Sequence, residues 1–118
     1  MAVVRFADIQ NPQDLFDWMC EHHTSAELVA QWYKIYQEQS TRAQQYVRDP
    51  RNIFRHGPGV YTDLVTGEDS QVYAVAAFLH DGTHFGVAAF FNVKHELTDV
   101  REITDQDEMK NLSLHSLN

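Results

Sequence analysis

The chain holds a single cysteine, Cys20, so no internal disulfide can form and a fold stapled by bridges is excluded. Positive charge is scarce. Nine Lys and Arg stand against seventeen Asp and Glu, for a formal net charge of −8 with the histidines neutral. That balance opposes general binding to nucleic-acid phosphates, and solubility alone accounts for it. No apolar run approaches the roughly 20 residues that a membrane-spanning helix needs, so no membrane partner is expected. Neither Cys-x-x-Cys nor His-Glu-x-x-His occurs, so none of the seven histidines sits in a spacing that announces a metal. His22 and His23 are neighbours at an expected helix end, where their rings point ~100° apart and cannot easily share an ion. No metal or cofactor is implied. A lone thiol, with Met1–Gln10 too short and polar for an export signal, points to a soluble cytoplasmic protein. At 118 residues the chain suits one domain, 1–118, and is too short for two.

What is present is organised around 71–94, which reads as a β-hairpin. Asp81-Gly82 lies between two apolar runs and is a two-residue turn signal. With those two residues as the turn, Val72, Ala74, Ala76 and Phe78 share a face with Phe85, Val87, Ala89 and Phe91. Tyr73, Val75, Ala77 and Leu79 then share the other with His84, Gly86, Ala88 and Phe90. Both faces are apolar, and each demands cover from helices, a partner chain or a ligand. Small residues at the hairpin centre, Ala76, Ala77, Gly86, Ala88 and Ala89, leave room for something to approach closely.

Two helices precede the hairpin. Asn11-Pro12 starts the first, which carries Leu15, Phe16, Trp18 and Met19 and ends near His22-His23. Cys20 on that helix is a small packed hydrophobe. Its place near the helix C-terminus raises a thiol's pKa and disfavours a reactive thiolate. Thr24 and Glu27 form a capping box for the second helix. Its stripe runs through Val29, Trp32 or Tyr33, Tyr36, Ser40, Ala43 and Val47 until Pro50 ends it. Gly57-Pro58-Gly59 marks a connector without regular structure. Val60–Thr66 is a strand. Leu97–Ile103 is another, with Val100 facing away from Leu97, Asp99, Arg101 and Ile103. Thr104 with Asp107 caps a short last helix over 107–114. The class is α+β: two N-terminal helices packed on a four-stranded antiparallel meander sheet, with a short C-terminal helix. The long helix covers one sheet face, and a homodimer formed sheet to sheet would cover the other.

The segments Gly67-Glu68-Asp69, Asp81-Gly82-Thr83, Phe85-Gly86-Val87 and Glu96 to Asp105 resemble the closing strands of the nuclear-transport-factor-2-like superfamily. Leu97-Thr98-Asp99-Val100-Arg101-Glu102 stands where SnoaL-like members of it carry a Gly-Lys-Ile-Thr-x-x-Arg-Glu type of strand, with His95-Glu96 in place of Gly-Lys. The resemblance covers 59–105. It implies a strongly curved sheet around helices, an apolar pocket between them and frequent dimers. Its members include isomerases, cyclases and dehydratases as well as proteins that only bind or assemble, so it does not by itself assign a function.

Three candidate sites follow. His84, Asp99 and Tyr73 would form an acid–base set of an isomerase or dehydratase if they line one concavity, with Arg101 beside them. Tyr73, Phe90, Arg101 and Trp32 would line a pocket for a small apolar molecule. Arg51, Arg55 and His56 would hold an anion, although positive charge at a helix C-terminus is also simply favourable there. No catalytic motif is visible. The first expectation is therefore a binding or assembly module, homodimeric through its sheet, with a small-ligand pocket between helix and sheet. The alternatives are the acid–base enzyme and an acidic inhibitor that presents Glu96 to Glu108 to a basic protein partner.

Overall fold

The computed structural model describes residues 9–104 and 111–114. Two helices, α1 (Pro12–Glu21) and α2 (Ala26–Ala43), precede strands β1 (Ile53–Thr62), β2 (Asp69–Phe78), β3 (His84–Phe91), β4 (Leu97–Ile103) and β5 (Leu112–Leu114). The sheet order is β4-β3-β2-β1-β5, and every neighbouring pair is antiparallel. The four-stranded meander under two helices is thus as the sequence predicts. The fifth strand is an addition. The expected helix over 107–114 lies mostly outside the described residues, and its last three residues form β5.

Asn11 caps α1 by accepting from the Asp14 amide at 2.9 Å. Ser25 caps α2 through the Glu27 amide, in place of the expected Thr24. The α2 helix stops at Ala43, earlier than Pro50 requires. The amides of Gln45 and Tyr46 bond three residues back, to Arg42 and Ala43, and tighten the chain into turns. Val47 is exposed as a result, while Tyr46 still packs against Phe85.

Gly57-Pro58-Gly59 lies inside β1, against expectation. Pro58 opposes Tyr73 of β2, and on its other side, among the described residues, β1 meets β5 only at Gly59–Tyr61. Among the described residues Pro58 thus has a strand partner on one side alone, the setting in which a missing N–H costs least.

The central hairpin exists, with a register one residue away from the predicted one. Phe78 pairs with His84, and Ala77 pairs with Phe85. The loop holds three residues, His80, Asp81 and Gly82. The Gly82 amide bonds Leu79 O at 2.9 Å, and the Leu79 amide bonds Thr83 O at 2.9 Å. Only Gly82 has positive φ, 93°. This is a turn closed by a glycine bulge rather than a two-residue turn. Because side chains alternate, the one-residue slip exchanges the faces of β3. Tyr73, Val75 and Ala77 share the helix side with Phe85, Val87, Ala89 and Phe91. Val72, Ala74, Ala76 and Phe78 share the outer side with His84, Gly86, Ala88 and Phe90.

The helix-side core joins Leu15, Trp18, Met19 and Trp32 to Tyr73, Val87, Ala89, Phe91 and Val100. A shift between Phe90 and Phe91 in the β3–β4 pairing brings Leu97 into the same core as Val100, not opposite it. Gln31 Nε2 donates to Val100 O at 2.8 Å and pins α2 along β4. On the outer side Val72, Ala74, Ala88, Phe90 and Ile103 are also buried within the single chain, with Tyr61 and Leu112 among them. A bare apolar face was the argument for a sheet-to-sheet dimer, and that argument no longer calls for one.

Candidate functional site

The sheet separates the predicted site residues. Tyr73 is buried on the helix side. Asp99 opposes Phe90, and Arg101 opposes Ala88, which places both on the outer side with His84. Asp99 and His84 do share a face. Asp99 lies six strand positions from His84 along β3, about 20 Å at ~3.3 Å per residue. No proton could pass between them directly. The pocket set divides in the same way: Trp32 and Tyr73 meet edge to face at 6.1 Å, while the Arg101 guanidinium lies 3.9 Å over the Phe90 ring on the other side. The Arg101 Nε to Asp99 carboxylate contact of 3.3 Å is half exposed and worth little.

The anion set is also dispersed. Arg51 grips Asp49 through Nε and Nη2, at 3.0 and 2.8 Å, so its charge is already matched. That pairing holds the Asp49 carboxyl well below the usual carboxylate range. Arg55 and His56 are adjacent on β1 and point to opposite faces. Arg55 lies 6.0 Å over Phe78 outside, and His56 Nδ1 lies 2.7 Å from Gln10 O on the helix side. Among the described residues no three of His, Cys, Asp and Glu gather as a metal site would require, and no helix is long and apolar enough to cross a membrane.

The concave features lie elsewhere. Two adjoining cavities, of about 500 and 460 Å³, run along the groove between α1 and α2 and share Phe16 and Tyr33. Asn11, Pro12, Gln13, Trp32 and Tyr36 complete the first. Met19, Cys20, His23, Val29 and Ala30 contribute to the second. The helical period explains the groove. Leu15, Trp18 and Met19 turn the core face of α1 inward, which leaves Phe16 and, one turn on, Cys20 on its flank. On α2 only one of two adjacent aromatics can face the core. Trp32 does, stacked on Tyr36 at 5.9 Å, and Tyr33 is left 55% exposed opposite Phe16 at 41%. Cys20 is exposed in this groove and not packed as expected. The sequence signal for the groove was the surplus of aromatics at 16, 32, 33 and 36, more than one core stripe can use.

Comparison with family models, with curated proteins and with solved structures finds no match for this chain. The groove must therefore be read from its own chemistry.

Behind Trp32 sits the Tyr73 hydroxyl, 3.4 Å from His56 Nδ1. Because that nitrogen faces the Gln10 carbonyl, it carries the proton and donates. Burial pushes the Tyr73 phenol far above its ordinary value of 10.0, and Tyr36 and Asp14 nearby add to the effect. Tyr73 is thus a neutral phenol at all ordinary pH and no proton acceptor. Unfolded Tyr73 ionises near its ordinary value of 10.0 and folded Tyr73 well above it. Its contribution to stability is full below that pH and is lost as pH rises above it. Tyr73→Phe should flatten the fall of Tm between pH 10 and 11.5, where this one site contributes up to ~1.4 kcal/mol per pH unit. Parallel Tm–pH curves for the two proteins would show that Tyr73 ionises as freely folded as unfolded.

Proposed function

We propose that this protein is a binding module whose site is the groove between α1 and α2, and that it takes a small apolar molecule carrying a flat ring. The carrying observation is the pair of adjoining cavities, about 500 and 460 Å³, walled by Phe16, Trp32, Tyr33 and Tyr36. That size falls in the range of ligand sites, roughly 300–1,000 Å³, and aromatic walls favour a flat apolar guest. The cavity between helix and sheet, where a ligand was first expected, measures about 60 Å³ and is too small for one. The separation of His84, Asp99 and Tyr73 supports binding over acid–base chemistry. Of the residues first named for a pocket, Trp32 lines the groove and Tyr73 backs it.

The test uses anilinonaphthalene sulfonate, a fluorescent dye whose flat aromatic rings carry one sulfonate, with circular dichroism as the check on folding. The unaltered protein should bind it saturably, one to one, and quench Trp32. The double change Phe16→Ser, Tyr33→Ser alters exposed side chains and should leave the fold intact. It should weaken binding about tenfold or more, which corresponds to ~1.4 kcal/mol from two lost rings. Equal affinity in the double variant would place the dye elsewhere and end the proposal.

A further inference from the structure

A second, smaller cavity lies under α2, against the centre of the sheet. It measures about 60 Å³, and Gln39, Ser40, Ala43, Phe54, Ala77 and Phe85 are among the residues around it. The backbone of Ala76 and Gly86 also borders it. These include three of the small hairpin residues that leave room at the strand centre. Leucine or valine at 77 would fill the space; alanine does not.

The wall is apolar except at Gln39 and Ser40. Gln39 is 93% buried, the complement of its 7% exposure, and it is the buried polar residue of the described core. Its Nε2 donates to Glu102 Oε1 at 2.7 Å. A carboxylate only accepts, so it fixes which end of the amide faces it. The Gln39 Oε1 must then point the other way, and among the described residues no group donates to it. A buried acceptor without a donor costs about 1–3 kcal/mol. A cavity of this volume has room for one or two water molecules, each taking ~30 Å³ in the liquid, and a purely apolar cavity would stay dry.

We infer that the cavity under α2 is an internal water site, in which one or two ordered waters donate to Gln39 Oε1 and join α2 to the middle of the sheet. Size and chemistry both select the occupant. An ion would have to shed its hydration for a wall that is mostly apolar and offers it too few polar partners. An organic ligand of ordinary size does not fit. The guest is a small neutral hydrogen-bond donor, and water is the one at hand. This inference is independent of the groove, which lies between the helices rather than beneath α2.

A crystal structure of the unaltered protein at about 1.5 Å or better tests it directly, because water oxygens are ordered and visible there. The expected result is density for one or two waters in the cavity, one of them within hydrogen-bond distance, ~2.7–3.1 Å, of Gln39 Oε1. A cavity without density, or a protein donor seated on Gln39 Oε1, overturns it. Relaxation dispersion of water oxygen-17 gives a second reading in solution. The unaltered protein should show at least one long-lived water that Gln39→Met loses, because methionine fills the space and removes the acceptor. An identical dispersion profile in a folded Gln39→Met also overturns the inference. If that variant does not fold, the crystal structure of the unaltered protein decides alone.

Discussion

Gly86→Ala should cost this protein about 3 kcal/mol or more, the upper end for forcing atoms into a packed interior. A Cβ at position 86 would overlap the Val75 carbonyl oxygen and lie 2.9 Å from Ala76 Cα. Both are main-chain atoms of β2, the strand paired with β3, and neither can swing aside as a side-chain tip would. Relief requires β2 and β3 to part at the middle of the sheet, where Ala76 opposes Gly86. At ~4 °C per kcal/mol for a domain of this size, Tm should fall by roughly 10 °C or more. Gly82→Ala is the control. Gly82 has φ 93° and nothing within 4 Å of a built Cβ, so it suffers backbone strain alone, about 1–2 kcal/mol. Thermal melts of the two variants should rank Gly86→Ala well below Gly82→Ala. The reverse order would mean that the strands stand further apart than described.

Trp18→Ala should be comparably severe, about 3–5 kcal/mol by the usual cost of emptying a buried aromatic site. Trp18 is 2% exposed, lies parallel to His22 at 4.1 Å and meets Phe91 edge on at 5.1 Å. With Leu15 and Met19 it anchors α1 in the helix-side core. A 10-residue helix has little stability of its own, so losing that anchor should release α1 from the sheet. Against a total stability of ~5–15 kcal/mol, the loss would leave the variant marginal. Urea denaturation measures the change, and proteolysis should cut α1 first. Trp18→Phe keeps a ring against Phe91 and should lose much less. A Trp18→Ala protein as stable as the parent would show that α1 is held by something other than this contact.

The elements were largely legible because each carries its own local signal. Asn11 and Pro12 start α1, two apolar runs write β2 and β3, and an Asp-Gly pair marks their turn. Errors came where two local signals compete. Gly57-Pro58-Gly59 reads as a breaker, yet a strand partner on one side alone, among the described residues, lowers the penalty at Pro58. Asp81-Gly82 fits both a two-residue and a three-residue loop, and that difference of one residue exchanged the two faces of β3. The candidate sites failed with the register and with the long axis of the sheet. His84 and Asp99 are 15 positions apart in the chain and at opposite ends of one face, a distance that residue types do not encode.

By itself the amino-acid order determined the class, the helices, the meander and the absence of disulfides, because capping, period and turn chemistry act within a few residues. Tertiary structure alone decided which side of the sheet each strand residue faces, which of Trp32 and Tyr33 enters the core, and where the space is left over. Those outcomes depend on how elements distant in the chain pack together, and two equally apolar faces give a strand no local reason to choose between them.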